Sequence, residues 1–387
     1  MRKNVLRKIY MACSALAVAG IAPGYTLAED AAAPAAPTGN KLSQLLDEIG
    51  LSATGLVSAS YYHSTAGAPL VAFHQFDIEH DTFQLDQAAI TLAYQPKDGF
   101  GALVNLMAGE DARVLNAAEN GTNSTFEATQ AYLQYAHGPI TVIAGKFVTL
   151  AGAEVIDPTK NTQFSRSLLF FTEPLTHTGV RGTYAVTDTL NVILGVNNGW
   201  NSTSTSFGSK TGEFGLAYTP NKILAVTLQA YVGKDPTFDA TRTLIDGVVT
   251  YNATSALSFG ANFNWGQQDI QPGAGLTLSS LSWYTFAGYV NYALNDQWRV
   301  SFRGEYLNDK DGFIGASFAD GNVTLGPQEK IKEGTITVGY SPVKSFEFRL
   351  EGRYDWSDQS SFVTTVNGAP TPISHQTGIA LQGLYKF

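Results

Sequence analysis

The 387-residue sequence is short of several things at once. It has a single cysteine, Cys13, and only 15% of its residues are charged. Basic residues are fewer than acidic ones, Lys+Arg 24 against Asp+Glu 33, for a net charge of -9. After the N-terminal segment no apolar run approaches the ~20 residues of a membrane-crossing helix, which excludes helical spans. An acidic chain lacks the basic surface of a general nucleic-acid binder, so no nucleic-acid partner is expected. His63, His74, His80, His137, His177 and His375 form no spaced metal motif, so no metal or other cofactor is expected. No Gly-rich phosphate loop opens a helix and no serine sits in a nucleophile elbow, so nothing asks for an enzyme.

What is present begins with an export signal. Arg2, Lys3, Arg7 and Lys8 precede a short apolar run from Ile9 to Ile21, and small residues at Thr26 and Ala28 precede Glu29. That order makes residues 1–28 a secretory signal peptide. Cleavage after Ala28 removes the only cysteine, which excludes disulfides and thiolate ligands from the mature chain. It also removes four basic residues and no acidic ones, so Lys+Arg falls from 24 to 20 against 33 and the net charge goes from -9 to -13. Residues 29–50 read as an Ala/Pro-rich linker and a short amphipathic helix, with Leu42, Leu45, Leu46 and Ile49 on one side.

From Leu51 to Phe387 the period is two. In "WRVSFRGEY", Trp298, Val300, Phe302, Gly304 and Tyr306 alternate with Arg299, Ser301, Arg303 and Glu305. In "FEFRLEGRYDW", Phe346, Phe348, Leu350, Tyr354 and Trp356 alternate with Glu347, Arg349, Glu351, Arg353 and Asp355. These segments are about twice the usual five to six residues of a sandwich strand, and match a tilted strand that crosses a membrane. Arginines and carboxylates at every second position suit a wet lumen wall better than a soluble sheet. Strands fit near 51–62, 83–95, 100–109, 126–135, 140–148, 177–186, 190–198, 211–219, 223–233, 242–252, 256–266, 282–293, 298–308, 331–341, 345–356 and 374–387. At 140–148 the phase is ambiguous, because Ile143 and Phe147 favour one face and Ile140 and Val142 the other.

Short turns such as "AHGP", "PNK" and "LNDQ" alternate with long loops. The fold expected is therefore all-β: a transmembrane antiparallel up-and-down barrel of about sixteen strands, with short periplasmic turns and long extracellular loops. A barrel of that size has room for an aqueous lumen. Each strand that descends to a short turn carries a tyrosine on its outward phase: Tyr94, Tyr135, Tyr184, Tyr218, Tyr251, Tyr292, Tyr340 and Tyr385. With Phe387 they read as a girdle at the headgroup boundary, where outer-membrane lipid is the partner.

The longest loop, near 149–176, contains Leu168, Leu169, Phe170 and Phe171, which have to pack somewhere. "GKF" at 145–147, "GAEVIDPTKN" at 152–161, "SRSLLF" at 165–170, "EP" at 173–174 and "HTGVR" at 177–181 resemble the signature stretch of the OmpL-like beta-barrel porin family, beta-barrel porin type 2. The resemblance implies a pore in the outer membrane of a Gram-negative-type bacterium, with the third loop bent into the lumen. On that reading Glu154, Asp157, Lys160, Arg166 and Glu173 in the loop, Arg181 beyond it, and Arg299, Arg303, Arg349 and Arg353 on the opposite wall line a constriction. Acids facing arginines there would set a transverse field; the plainer alternative is that these charges only tie strands and loop together.

The expected function is an outer-membrane porin, a water-filled channel for passive diffusion of small polar solutes and ions. The alternatives are a substrate-specific channel of the same fold and a non-conducting barrel with an adhesion or envelope-structural role. A homotrimer is one assembly open to such a barrel, although no interface patch stands out in the sequence. The terminal aromatic, Phe387, resembles the signal that outer-membrane assembly machinery recognises on a last strand.

Overall fold

Alternation gives each segment one oily face and one polar face, and a sheet of such strands buries its polar face by closing on itself. The computed structural model describes residues 48–67, 71–205, 208–235, 239–270, 279–319 and 322–387. The expected signal peptide and nearly all of the linker and helix at 29–50 lie outside the described residues.

Sixteen antiparallel strands form a closed barrel. They are β1 (Ser52–Ser64), β2 (Thr82–Tyr94), β3 (Gly99–Ala108), β4 (Phe126–His137), β5 (Ile140–Val148), β6 (Thr176–Thr187), β7 (Leu190–Asn197) and β8 (Thr211–Tyr218). The second half is β9 (Leu224–Asp235), β10 (Ala240–Asn252), β11 (Leu257–Asp269), β12 (Ser280–Ala293), β13 (Trp298–Asp309), β14 (Glu329–Val343), β15 (Phe346–Ser357) and β16 (His375–Lys386). Each strand pairs with its sequence neighbour, and β16 returns to β1. Short turns are stiffened by their own side chains: Asn221 Oδ1 accepts from the N–H groups of Ile223 and Leu224, and Asn295 Oδ1 from those of Gln297 and Trp298.

The phases follow the sequence pattern. Phe302, Phe348 and Leu350 face outward and are exposed, while Arg303, Glu305, Arg349, Glu351, Arg353 and Asp355 are buried inside. On β5 the structure chooses Ile143 and Phe147 as the inward pair and leaves Ile140 exposed. Gly145, at φ 138, lies between them, and the inward pair packs with Ala93, Leu103 and Tyr132. The eight tyrosines all sit at the short-turn rim, seven of them 42–49% exposed and Tyr340 half-buried beside Trp298, with ring centroids 4.5 Å apart. The long-loop rim has aromatics of its own on the outward phase, including Phe83, Phe126, Tyr354 and Trp356, which the turn-based reading missed.

Two long loops carry helices that the alternation could not announce. In the second loop (L2, 109–125), α1 (Glu110–Asn120) ends at Gly121 in the left-handed conformation. Its Ala112 and Leu115 pack with Phe76, Met107, Ile156, Phe170 and Leu175 inside the mouth of the barrel. In the third loop (L3, 149–175) a single turn, α2 (Leu168–Phe171), is capped by the Ser167 hydroxyl.

The seam closes on the last residue. The N–H of Phe387 donates to the Gly55 carbonyl at 3.0 Å and the Phe387 carbonyl accepts from the Gly55 N–H at 3.0 Å. The Phe387 ring lies over Gly55, where a Cβ would sit 2.3 Å from it. Deleting Phe387 removes this bonded pair, a loss of about 1–3 kcal/mol, and should lower the temperature at which the folded band on an unheated gel gives way to the unfolded one. An unchanged transition would show that the seam is held by the strands alone.

Candidate functional site

L3 leaves the end of β5 and crosses the lumen. It has almost no regular structure, so its backbone donors and acceptors need partners from outside the loop. The wall supplies them. The Tyr231 hydroxyl on β9 accepts from Leu150 N–H at 3.1 Å and donates to Glu213 at 3.1 Å. Asp246 on β10 accepts from Gly152 N–H at 3.0 Å, and Asn262 on β11 accepts from Ala153 N–H at 2.7 Å.

The far side of the loop meets β13 and β15. Arg349 donates to the carbonyls of Asn161 at 2.8 Å and Gln163 at 3.1 Å. Arg299 donates to the Thr162 carbonyl at 2.7 Å, Arg303 to the Ser165 carbonyl at 2.8 Å and Arg353 to the Arg166 carbonyl at 2.7 Å. Four guanidinium groups thus bind five carbonyls of one extended segment. Carboxylates take the opposite polarity: Glu351 accepts from the N–H groups of Phe164 at 2.6 Å and Ser165 at 2.9 Å. Glu305 accepts from Leu169 N–H at 3.2 Å.

One loop carboxylate joins this wall directly. Glu154 accepts from Arg303 at 2.8 Å and from the loop's own Ser167 N–H at 2.6 Å. Arg303 also meets Glu305 at 2.8 Å and Glu333 at 3.3 Å. Charges this deeply buried are held by pairing and hydrogen bonds rather than by water.

The ten candidate residues separate into groups. Glu154, Arg299, Arg303, Arg349 and Arg353 come together at the loop–wall contact. Arg166 is buried with them but points back, donating to the carbonyls of Val155, Phe164 and Ile156, with its guanidinium 5.4 Å from the Phe76 ring centre. Asp157 and Lys160 sit 4.0 Å apart at a more open edge, where Asp157 caps the short 3-10 turn Pro158–Lys160. Arg181 belongs to the loop's root: it pairs with Glu213 at 2.9 Å, donates to the Val148 carbonyl at 3.2 Å and lies 4.2 Å over the Phe147 ring. The wall arginines do not face the loop acids across open space; they touch the loop. Tyr231, Asp246, Asn262 and Glu333 were not singled out from the sequence. Each lies on the inward phase of its strand, which was the available signal.

The first loop (L1, 65–81) is tied to the same wall. His74 is buried, with Nδ1 2.5 Å from Asp77 and Nε2 3.2 Å from Asp355. Burial and nearby Arg353 pull its pKa down, but the two carboxylates outweigh them and leave it raised, which favours the imidazolium form.

Glu173, at the end of L3, lies against Asp246 with one carboxyl oxygen lacking any partner. Burial, and then the Asp246 charge, push the Glu173 carboxyl well above the usual range, which favours its protonated form. A raised folded-state pKa gives stability that is complete below the ordinary glutamate value and is lost as pH rises through the folded value. Within that window the stability of purified protein should fall by about 1.4 kcal/mol per pH unit from this group. Glu173→Gln should flatten the dependence, read as melting temperature against pH; the same slope in the variant would remove Glu173 from the account.

Comparison with known proteins agrees with this geometry. The family described as "Putative beta-barrel porin-2, OmpL-like" matches residues 50–387. No match was found among the curated proteins. Among solved structures, the outer-membrane channel DcaP of Acinetobacter baumannii aligns with a TM-score of 0.60 at 12% identity, covering 87% of this chain and 97% of that one. The anion-selective porin from Comamonas acidovorans aligns with a TM-score of 0.58 at 11% identity, covering 87% and 99%. OmpT of Vibrio cholerae aligns with a TM-score of 0.56 at 12% identity, covering 87% and 97%. At these identities the structures establish a common fold, and the family match over the whole barrel establishes the rest: the chain belongs to the OmpL-like beta-barrel porins of the bacterial outer membrane.

Proposed function

We propose that this porin passes small polar solutes and ions by passive diffusion, through a lumen narrowed by an L3 that is fixed in place. The observation that carries this is the set of wall arginines bonded to the loop backbone between Asn161 and Arg166. A loop held at so many points acts as a static constriction, not a gate. Its charges contribute a field through what is left unbalanced. The inward faces of β13, β14 and β15 carry seven carboxyls, at 305, 309, 329, 333, 347, 351 and 355, against four arginines. An excess of acid on the wall favours cations.

We also propose that the tyrosines at the short-turn rim, with Phe387, hold the barrel at the headgroup boundary, and that Phe387 serves the assembly machinery. A homotrimer is supported by a shallow patch on the lipid face. Ala261, Gly288, Gly304 and Gly334 are paired in a row on β11 to β14, and a flat small-residue surface lets two barrels approach closely.

Two measurements test these readings. In planar bilayers under a salt gradient, the reversal potential should carry the sign of cation preference. Arg303→Ala with Arg349→Ala breaks buried pairs worth about 3–5 kcal/mol and should raise the single-channel conductance and make it noisier. Native conductance and selectivity in that variant would mean that L3 does not set the constriction. Native mass spectrometry of protein extracted from membranes should show three copies, each beginning at Glu29; a monomer, or a chain that retains residues 1–28, would refute the corresponding proposal.

A further inference from the structure

The strands carry five lysines: Lys146, Lys234, Lys330, Lys332 and Lys386. Lys146 is paired with Glu119 and Glu127, Lys234 is paired with Asp239, and Lys386 continues the inward phase of Gln382 and Leu384. Lys330 and Lys332 differ. Both lie on the outward phase of β14, both are exposed, and among the described residues neither ammonium forms an ion pair. Asp358, opposite Lys330, accepts from the Lys330 backbone N–H at 2.7 Å.

Their surroundings are those of a headgroup layer. Tyr306, Lys332, Trp356 and His375 are directly paired across β13, β14, β15 and β16, so their side chains form one row on the lipid-facing surface at the long-loop end. Tyr354 packs against Trp356 and His375, with ring centroids 5.6 and 5.9 Å away. One step toward the lipid core the same strands present Gly304, Gly334 and Tyr354, then Phe302, Ile336 and Gly352, with no charge until the opposite rim. The two ammonium groups therefore sit above an apolar surface, between aromatic rings suited to the boundary of the bilayer.

We propose that Lys330 and Lys332, framed by Tyr306 and Trp356, bind a phosphate on the headgroup of a phosphorylated glycolipid in the outer leaflet. The outward phase selects a lipid, because a phosphate in the lumen or above the loops would not meet these side chains. The bilayer surface supplies the counter-charge that the protein withholds.

The test uses the full-length protein, folded in detergent. It is titrated with diphosphorylated lipid A, with the same lipid freed of phosphate, and with inorganic phosphate alone, and retained lipid is read by native mass spectrometry. The native protein should hold the diphosphorylated form and lose it in Lys330→Gln with Lys332→Gln, about thirtyfold more weakly bound. Lys330→Arg with Lys332→Arg should keep binding within a few fold, and Lys234→Gln, at a paired lysine on another strand, should match the native protein. Equal binding of the dephosphorylated lipid, displacement by inorganic phosphate, or native binding in the double glutamine variant would each overturn the proposal. If the glutamine variant does not fold, as judged by its migration on an unheated gel, the comparison of the two lipids on native protein still decides.

Discussion

A long, nearly structureless segment cannot enter a barrel unless something takes over its backbone hydrogen bonds. In this porin the wall does so. Arginines on β13 and β15 bind carbonyls of L3, while Asp246, Asn262, Glu305 and Glu351 accept from its N–H groups. The arrangement resembles a sheet edge whose missing partner is a set of side chains. Guanidinium groups suit that task, since each offers a rigid fork of donors and cannot be neutralised. The position of L1 depends on it too, because His74 reaches the same β15 surface through Asp355. So does α1, whose apolar face is completed by Ile156 and Phe170 from L3.

The barrel was legible in the sequence because one constraint writes it everywhere. Oil on one side and water or polar loop on the other force a period of two, and a one-residue error would turn every side chain the wrong way. Strand number, strand phase and the rim tyrosines all follow from that rule. It failed locally where the inner face is itself apolar. Ile143 and Phe147 point inward to a cluster with Leu103 and Tyr132, and Leu281, Trp283, Leu307 and Ile331 line the mouth where Leu168 docks. A barrel with a packed interior breaks the contrast between its faces.

The site was legible in its residues and not in its pairing. That arginines and acids at every second position would face the lumen follows from phase alone. That the arginines would spend their donors on backbone carbonyls does not, because a carbonyl leaves no trace in a sequence. Glu173 shows the same limit. As a loop acid it reads as one more negative charge, yet burial, and then its neighbour Asp246 from far away in the chain, raise its pKa. Helix α1 was hidden for a different reason: one helical segment inside a two-residue rhythm is short enough to pass for a loop.

The bond between Gly55 and Phe387 joins nearly the first residue of the barrel to the last of the chain. Every other pair of strands in the barrel joins sequence neighbours, but β16 and β1 can pair only once β16 has been made. Until then the growing sheet has two unpaired edges, each able to pair with another chain. A barrel built in this order cannot be finished early, and its most distant contact is also its last, so topology alone makes its closure slow. Pairing of β16 with β1 removes both edges in one step.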